Sequence, residues 1–574
     1  MYENIHIRAR EEYDAIVVGS GITGGWAAKE LTEKGLKTLV LERGRNVVHG
    51  KDYVTEHKGN WEFKFRGLGD RKKMEAEYPI QSRGGPVRED NIHFFIKDKE
   101  YPYIEVKPFT WIQGNQLGGR SLTWGRQSYR WSDLDFGANL REGIAVDWPI
   151  RYEEIAPWYD YVEDFVGISG QPEGLPQLPD SRFLPPMALN CVEQKVRDDI
   201  KAHFPERTMT IGRTAILTRP HRGRAACHYC GPCSRGCTPG AYFSSLSSTL
   251  PAARATGNLT IRPNSLVHSI IYDEEKDRAT GVRVIDTETK EMHEYYGRIL
   301  FLCASTLNST KILLNSKTSR FPNGLGSSSG ELGHNLMDHH FQVGAFGEMP
   351  GFEDKYYFGV RPNGIYIPRY RNIDAKTKQA DFVRGYGYQG GASRSSWRRG
   401  MDTPGFGADF KHGLREPGPW QMFLIAFGEM LPRHENHVSL DPERTDPWGI
   451  PLLRIDCSYG ENEMAMRRDM AVQAAEMLEA AGCRNIETYD RYVEGGIGAE
   501  PGLGIHEMGA ARMGRDPKTS VLNAHNQVHD APNVFVTDGA CMTSSACQNP
   551  SLTYMALTAR AADYAVAEMK RGNL

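Results

Sequence analysis

The sequence predicts an α/β fold (α+β overall), a Rossmann-like dinucleotide-binding domain interleaved with an antiparallel-sheet substrate domain. Three observations carry this prediction. A glycine-rich turn joins an apolar β-branched run to a helical segment near the start; residues 340–500 shift toward Tyr, Phe, Trp, Pro and short alternating runs; the chain then returns to its first texture. Continuous β-branched runs suit parallel strands buried on both faces, whereas alternating runs suit an antiparallel sheet with one face on a cavity. The domains are therefore discontinuous. Segments 11–150, 225–335 and 500–574 are assigned to the nucleotide domain, and 151–224 with 336–499 to the substrate domain.

Residues 13–18 (YDAIVV) read as a strand, GSGITGG as a turn, WAAKELTEKG as a helix and KTLVLE as a second strand ending at Glu42. In this G-x-G-x-x-G, Gly19 allows the tight turn, Gly21 lets a pyrophosphate approach the helix N-terminus, and Gly24 allows close helix packing. Glu42 is placed to accept hydrogen bonds from a ribose diol. The fingerprint does not choose between FAD and NAD. The stretch to residue 110 lacks periodicity and, with WIQGNQLGGRSLTWG, reads as loops lining a site. Strands follow at 259–263, 266–272, 281–286 and 299–303, the last leading into a helix through STLNSTKILLNS. In the middle region GIYIPRY and HVSLD alternate as antiparallel strands do; NVFVTDGA is a later strand and turn. A final helix starts at Asn549, a good N-cap, with Pro550 suited to the first helical position.

Sixty-nine Lys and Arg against 72 Asp and Glu leave a formal charge of −3, which excludes a charge-driven nucleic-acid binder. No run of about 18 apolar residues marks a membrane span. The N-terminus, MYENIHIRAREEYDAIVVGSG, shows neither an apolar export segment nor a twin-arginine pair. Cytoplasmic residence and export as a folded passenger both fit that expectation.

Four of the ten cysteines, Cys227, Cys230, Cys233 and Cys237, have the C-x2-C-x2-C-x3-C spacing of a ferredoxin-like run. An iron–sulfur cluster is the first reading, 3Fe-4S on three thiolates or 4Fe-4S on all four. A zinc ion fits less well, since it usually joins two separated pairs, and a disulfide or free thiols come third. His339 and His340 after Asp338 tempt a second metal assignment, but adjacent side chains point in different directions. Cys541 and Cys547 read as packing thiols.

Four further motifs occur in order: LGGRSLTWG (117–125), LCASTLNSTKILLNS (302–316), LGHNLMDH (332–339) and NVFVTDGACMTSSACQNPSLT (533–553). With the N-terminal fingerprint they resemble the glucose-methanol-choline (GMC) family of flavin oxidoreductases, from about residue 11 to 570 with a divergent middle. The likeness is greatest to bacterial iron–sulfur sugar dehydrogenases of the glucoside 3-dehydrogenase catalytic-subunit type. The resemblance implies FAD as cofactor. It places Gly118, Gly119 and Ser121 in a loop passing the flavin and its phosphates, and Val267 where a backbone group holds adenine. Ala304 falls at a strand end beside the cofactor, and Asp538 and Gly539 fall beside the ribityl chain. Thr123 stands where some relatives tether FAD through His, so the cofactor should be non-covalent. The segment at 332–339 is a structural turn in the family.

His506, 43 residues before Asn549, resembles the family's catalytic His–Asn pair. The chemistry needs both: a base removes the hydroxyl proton while the carbon hydride goes to the flavin, and an amide holds the same hydroxyl in place. The bland alternatives are a buried structural histidine and a helix cap. The resemblance further implies oxidation of a ring secondary hydroxyl of a sugar, first at carbon 3 of a glucoside. Electrons would leave through the cluster to a cytochrome c-type subunit, and a small subunit would carry the export signal, favouring the periplasm. A gluconate 2-dehydrogenase-type subunit and an oxygen-using oxidase with structural zinc are the alternatives. Tyr356, Tyr357, Phe358, Tyr386, Tyr388, Trp397 and Trp420 are candidates to stack on a pyranose, or else core.

Overall fold

A computed structural model describes residues 12–574 apart from 358, 397–398, 401–402 and 494–497. Phe358, Trp397, the first residue of the nucleotide domain and most of the segment read for export signals thus lie outside the described residues.

Strand Glu12–Val18 is the centre of the main, eight-stranded sheet. It pairs in parallel with Thr38–Leu41 on one side and Met292–Leu302 on the other. Leu259–Arg262 and Ala531–Val536 extend the two sides, again in parallel. A hairpin of Ser265–Asp273 and Arg278–Asp286 joins antiparallel to Met292–Leu302, and Gln527–Val528 closes an edge. Successive side chains of a strand point to opposite faces. Ile16 and Val18 accordingly enter a core with Trp131 and Trp148, while Ala15 and Val17 enter a second core with Ala27, Ala28 and Leu31 of helix Ile22–Glu33. Alanines of the terminal helix Ser551–Arg571 pack into both cores, their small side chains allowing close approach to the first helix. Helix Tyr152–Val166 joins this packing: Ile155, Tyr159, Val162 and Val166 are buried with it, and Tyr159 Oη lies 2.7 Å from Thr553 Oγ1.

The second sheet has six antiparallel strands in the order Arg484–Asp490, Val343–Met349, Trp420–Gly428, Tyr386–Arg394, Ile365–Ile367, Thr210–Ile211. One face packs on helices Cys191–His203 and Glu461–Ala480. The latter, twenty residues rich in Ala, Met, Glu and Arg, is a strong helix former within a region read as sheet. Strand alternation sends Tyr386, Tyr388 and Trp420 into that core, so these three do not face a substrate. Tyr356 and Tyr357 are exposed. The HVSLD strand belongs to a third sheet, where His437–Thr445 pairs with Pro451–Asp456 and the latter with Ile104–Glu105. Among the described residues no helix is long and apolar enough to cross a membrane.

Candidate active site

A cavity of about 550 Å3 runs from the C-terminal ends of the parallel strands, the usual ligand-binding edge of such a sheet, to the exposed face of the antiparallel sheet. Gly19, Gly21, Glu42, Gly119, Ser121, Thr123, Val267, Ala304, His506, Asp538, Gly539 and Asn549 all line it; Gly24 and Gly118 do not. The glycines divide their roles as physics requires. Gly19 has φ +94°, and a Cβ there would stand 2.4 Å from the Cys303 carbonyl oxygen. A Cβ on Gly24 would stand 2.0 Å from the Gly19 carbonyl oxygen, which makes Gly24 a packing glycine. At Gly21 a Cβ would meet no protein atom within 4 Å, because the position opens onto the cavity at a helix N-terminus whose first turn carries no acid.

The acids and hydroxyls around this cradle are held in place. Glu42 Oε2 accepts from Ser20 N at 3.2 Å and Ser20 Oγ at 2.5 Å, and Oε1 from Gly44 N at 2.8 Å. Gly118 N donates to Ser20 Oγ at 2.9 Å, which fixes the second glycine loop against the first. Ser121 Oγ donates to the Gly118 carbonyl at 2.5 Å and accepts from Ser245 N at 3.0 Å. Asp538 accepts from Ala540 N at 3.0 Å, capping the turn Gly539–Cys541, and from Ser309 Oγ at 2.5 Å. Burial pushes its carboxyl up to about 6. A dinucleotide fits this chemistry. Gly21 leaves backbone N–H groups open to a pyrophosphate, Glu42 keeps lone pairs for a diol, and Glu507 Oε1, on the cavity wall, has no hydrogen-bond partner among the described residues.

At the other end His506 and Asn549 come together, with Nε2 of His506 3.4 Å from Nδ2 of Asn549. Asn549 does not cap the terminal helix: Pro550 holds that position and no side chain caps it. Its Oδ1 instead accepts from Gln389 Nε2 at 2.7 Å. His506 follows Ile505, a β-branched residue at φ +57°, a backbone region that such residues avoid. The loop is tied by Asp338, which accepts from the backbone N–H of Gly502 at 2.8 Å, Gly504 at 2.9 Å and His506 at 3.0 Å. Burial and the nearby Glu507 push the Asp338 carboxyl up to about 7. Behind His506 stands His339, the two Nδ1 atoms 2.8 Å apart, with His339 Nε2 against the Ala546 carbonyl. Burial, His339 and Arg120 together hold the His506 pKa well below the ordinary imidazole value. Arg120 pairs with Glu507 at 3.1 Å.

His339 and Gln389 are the site residues that the sequence reading did not assign. The Asp338–His339 pair was the available signal for His339, with Asp338 tying the loop and His339 contacting the ring it holds. Gln389 reaches the cavity as the outward-facing neighbour of the buried Tyr388, which only strand alternation in the right register reveals. Phe341, Phe427 and Trp124 are among the aromatic residues that line the cavity.

The cysteine segment lies elsewhere, packed beside Met187, Ile211, Ile216 and Tyr242. Burial raises the thiols of Cys227, Cys233 and Cys237, and Cys230 is exposed. Among the described residues no three His, Cys, Asp or Glu side chains are arranged around a single metal ion. Cys541 and Cys547 are buried free thiols.

A dinucleotide cradle on a parallel sheet, facing a buried histidine and an amide, is the arrangement of a dinucleotide-dependent oxidoreductase. Family models of GMC oxidoreductases match residues 13–341 and 432–558. The chain belongs to the GMC oxidoreductase family. It is 30% identical to the 2-methyl-1,2-propanediol dehydrogenase of Mycolicibacterium austroafricanum, over 96% of this chain and 95% of that protein. It is 25% identical to the fructose dehydrogenase large subunit of Gluconobacter japonicus, over 97% and 98% of the two chains, and 25% identical to the gluconate 2-dehydrogenase flavoprotein of Pantoea cypripedii, over 96% and 92%. The formate oxidase of Aspergillus oryzae shares the fold, with a TM-score of 0.62 at 14% identity over 98% of this chain and 100% of that one.

Proposed function

We propose that this chain is an FAD-dependent dehydrogenase that oxidises a secondary ring hydroxyl of a sugar or glycoside, carbon 3 of a glucoside being the first candidate. The observation that carries the reading is the His506–Asn549 pair on the wall of the cavity that the glycine cradle opens into. Bound FAD supplies the hydride acceptor. Thr123 in the lining offers no imidazole for a covalent bond, which supports a non-covalent cofactor. His506, neutral near pH 7, takes the hydroxyl proton. Asn549, held by Gln389, directs its Nδ2 toward the same oxygen, and Phe341 and Phe427 exclude water from that end. The relatives named for a diol, fructose and gluconate support a polyhydroxylated substrate. A gluconate 2-dehydrogenase-type activity is the neighbouring reading, and the likeness to paromamine 6'-oxidase of Streptomyces fradiae keeps oxygen use as the second.

The test is anaerobic: the FAD-loaded protein is mixed in turn with methyl glucosides, gluconate, fructose and propanediols, and the flavin absorbance is followed. Bleaching by a glucoside supports the reading, with the oxidised carbon identified in the product; bleaching only by gluconate shifts it to the neighbour, and by none of the sugars overturns it. Dye reduction without peroxide supports a dehydrogenase, and stoichiometric peroxide an oxidase.

Iron–sulfur chemistry at Cys227, Cys230, Cys233 and Cys237 is supported by their spacing alone. Iron with acid-labile sulfide in anaerobically purified protein would support an exit to a cytochrome c-type subunit. Zinc without sulfide would make the segment structural. A small signal-bearing subunit and a periplasmic site belong to the same proposal, supported by the relatives named as a large subunit and a flavoprotein of a dehydrogenase.

A further inference from the structure

The His506 ring has two nitrogens, and only a bare Nε2 can take a proton on the Asn549 side. We propose that His339 is a positioning residue that keeps the His506 proton on Nδ1 and so leaves Nε2 bare. This inference rests on the reading of His506 as the base.

The assignment follows from donor and acceptor inventory along a chain of contacts. His339 Nε2 lies against the carbonyl of Ala546. A carbonyl oxygen has only lone pairs, so that nitrogen carries the hydrogen. A neutral imidazole has one N–H, which makes His339 Nδ1 an acceptor. His506 Nδ1 lies 2.8 Å from it, and the hydrogen between the two nitrogens therefore belongs to His506. A neutral His506 then has no hydrogen on Nε2.

The other side of the ring is compatible with the same answer but does not impose it. Gln389 Nε2 donates to Asn549 Oδ1 at 2.7 Å, which fixes the amide so that its Nδ2 turns toward His506 Nε2 at 3.4 Å. An N–H2 group facing that nitrogen is matched by a lone pair. One chain ends on a backbone carbonyl and the other on a side chain of the antiparallel sheet, and a bare Nε2 agrees with both. Protonating His339 would break the agreement, because an imidazolium donates from both nitrogens and would force the His506 hydrogen onto Nε2. Burial prevents this by pulling the His339 pKa down to about 4. Second contacts fix which nitrogen of a catalytic or ligating histidine is used in many sites, and here the second contact is another histidine.

The experiment is a 15N spectrum of the FAD-loaded protein with ring-labelled histidine near pH 7, in which bare and protonated ring nitrogens resonate in separate ranges. Signals are assigned by their loss in His506→Ala and in His339→Leu. The expected result is a protonated Nδ1 and a bare Nε2 for His506, with the reverse for His339. In His339→Leu the His506 signals move toward a mixture of tautomers, and His339→Asn, whose amide oxygen can take the place of Nδ1, restores the original pattern. A protonated Nε2 on His506 in the unaltered protein overturns the proposal, and His339→Asn supplies the assignment of His339 where His339→Leu fails to fold. An unchanged His506 pattern in folded His339→Leu overturns it equally. The measurement needs no substrate, so it separates the two readings. If His506→Ala still reduces its flavin at full rate, the base assignment fails while the tautomer assignment stands or falls on the spectrum.

Discussion

A base is useful only while its lone pair is free, and at His506 that depends on residues far away in the chain. Burial holds the imidazole neutral well below its ordinary range, so its acid limb should lie lower than that of a solvated histidine. The sign follows directly: the ring loses function only when it gains a proton, and a lowered pKa delays that to lower pH. Anaerobic flavin reduction measured across the acid-to-neutral range should stay level through the ordinary imidazole value of 6.5, and a limb at or above that value would contradict the burial argument. His506→Ala should keep its FAD and slow reduction by roughly 10² to 10⁴, the usual cost of losing a general base; stopped-flow reduction beside the FAD content of the purified variant checks both halves. The sequence disclosed His506 and Asn549 as a pair because a family motif carries them. It did not disclose His339, whose partner is 167 positions away and whose contact depends on how the Asp338 loop folds. Asn549 was also read as a cap from its place before Pro550, but Gln389 and His506 compete for that amide and win.

At the scale of elements, the opening strand was legible to within a residue, whereas the helix begins at Ile22, inside the stretch read as turn, because Gly24 and Gly25 are packed into its first turns. Gly24 shows why the spacing is strict. Gly24→Ala would drive a methyl group into the Gly19 carbonyl and part the helix from the turn. Overpacking of this kind costs about 1–3 kcal/mol. Thermal unfolding of the variant should therefore begin at lower temperature, and its FAD should dissociate more readily, as ultrafiltration would show. Gly21→Ala should differ, keeping the stability of the apoprotein while weakening FAD, because its Cβ meets only the cavity. Helix Glu461–Ala480 was missed for a physical reason. It lies in a region whose aromatic and proline content reads as sheet, and its apolar residues face a sheet whose strands come from both before and after it in the chain. The aromatic candidates failed similarly: composition names Tyr386 and Tyr388, but only register says which face of the strand meets the cavity.

For the whole molecule, interleaving of the two sheets was readable from the return of texture near the C-terminus. The order of strands was not, because parallel neighbours need no sequence proximity. The two family models leave residues 342–431 outside, the stretch that forms four of the six antiparallel strands and carries Gln389 and Phe427. Substrate choice should therefore vary with this sheet while cofactor binding does not. Phe427→Ala should raise KM for the bleaching sugar with FAD content unchanged. The cavity itself draws on residues from Val18 to Tyr554. A ligand that touches such separated stretches stabilises them together, by about 2.7 kcal/mol at a hundredfold excess over its Kd. Adding FAD to apoprotein should raise the melting temperature of both sheets in one transition.

The strand order also sets a timetable. Glu12–Val18 leaves the ribosome first, but its neighbour Met292–Leu302 is made midway and the strand beyond that, Ala531–Val536, near the end. At ~5–20 residues per second the first strand waits tens of seconds with an edge unpaired. Such an edge is a template for wrong pairing until Met292–Leu302 is made. Loss of residues 531–574 would remove both Ala531–Val536, the strand beside Met292–Leu302, and Asn549, leaving the parallel sheet with an open edge.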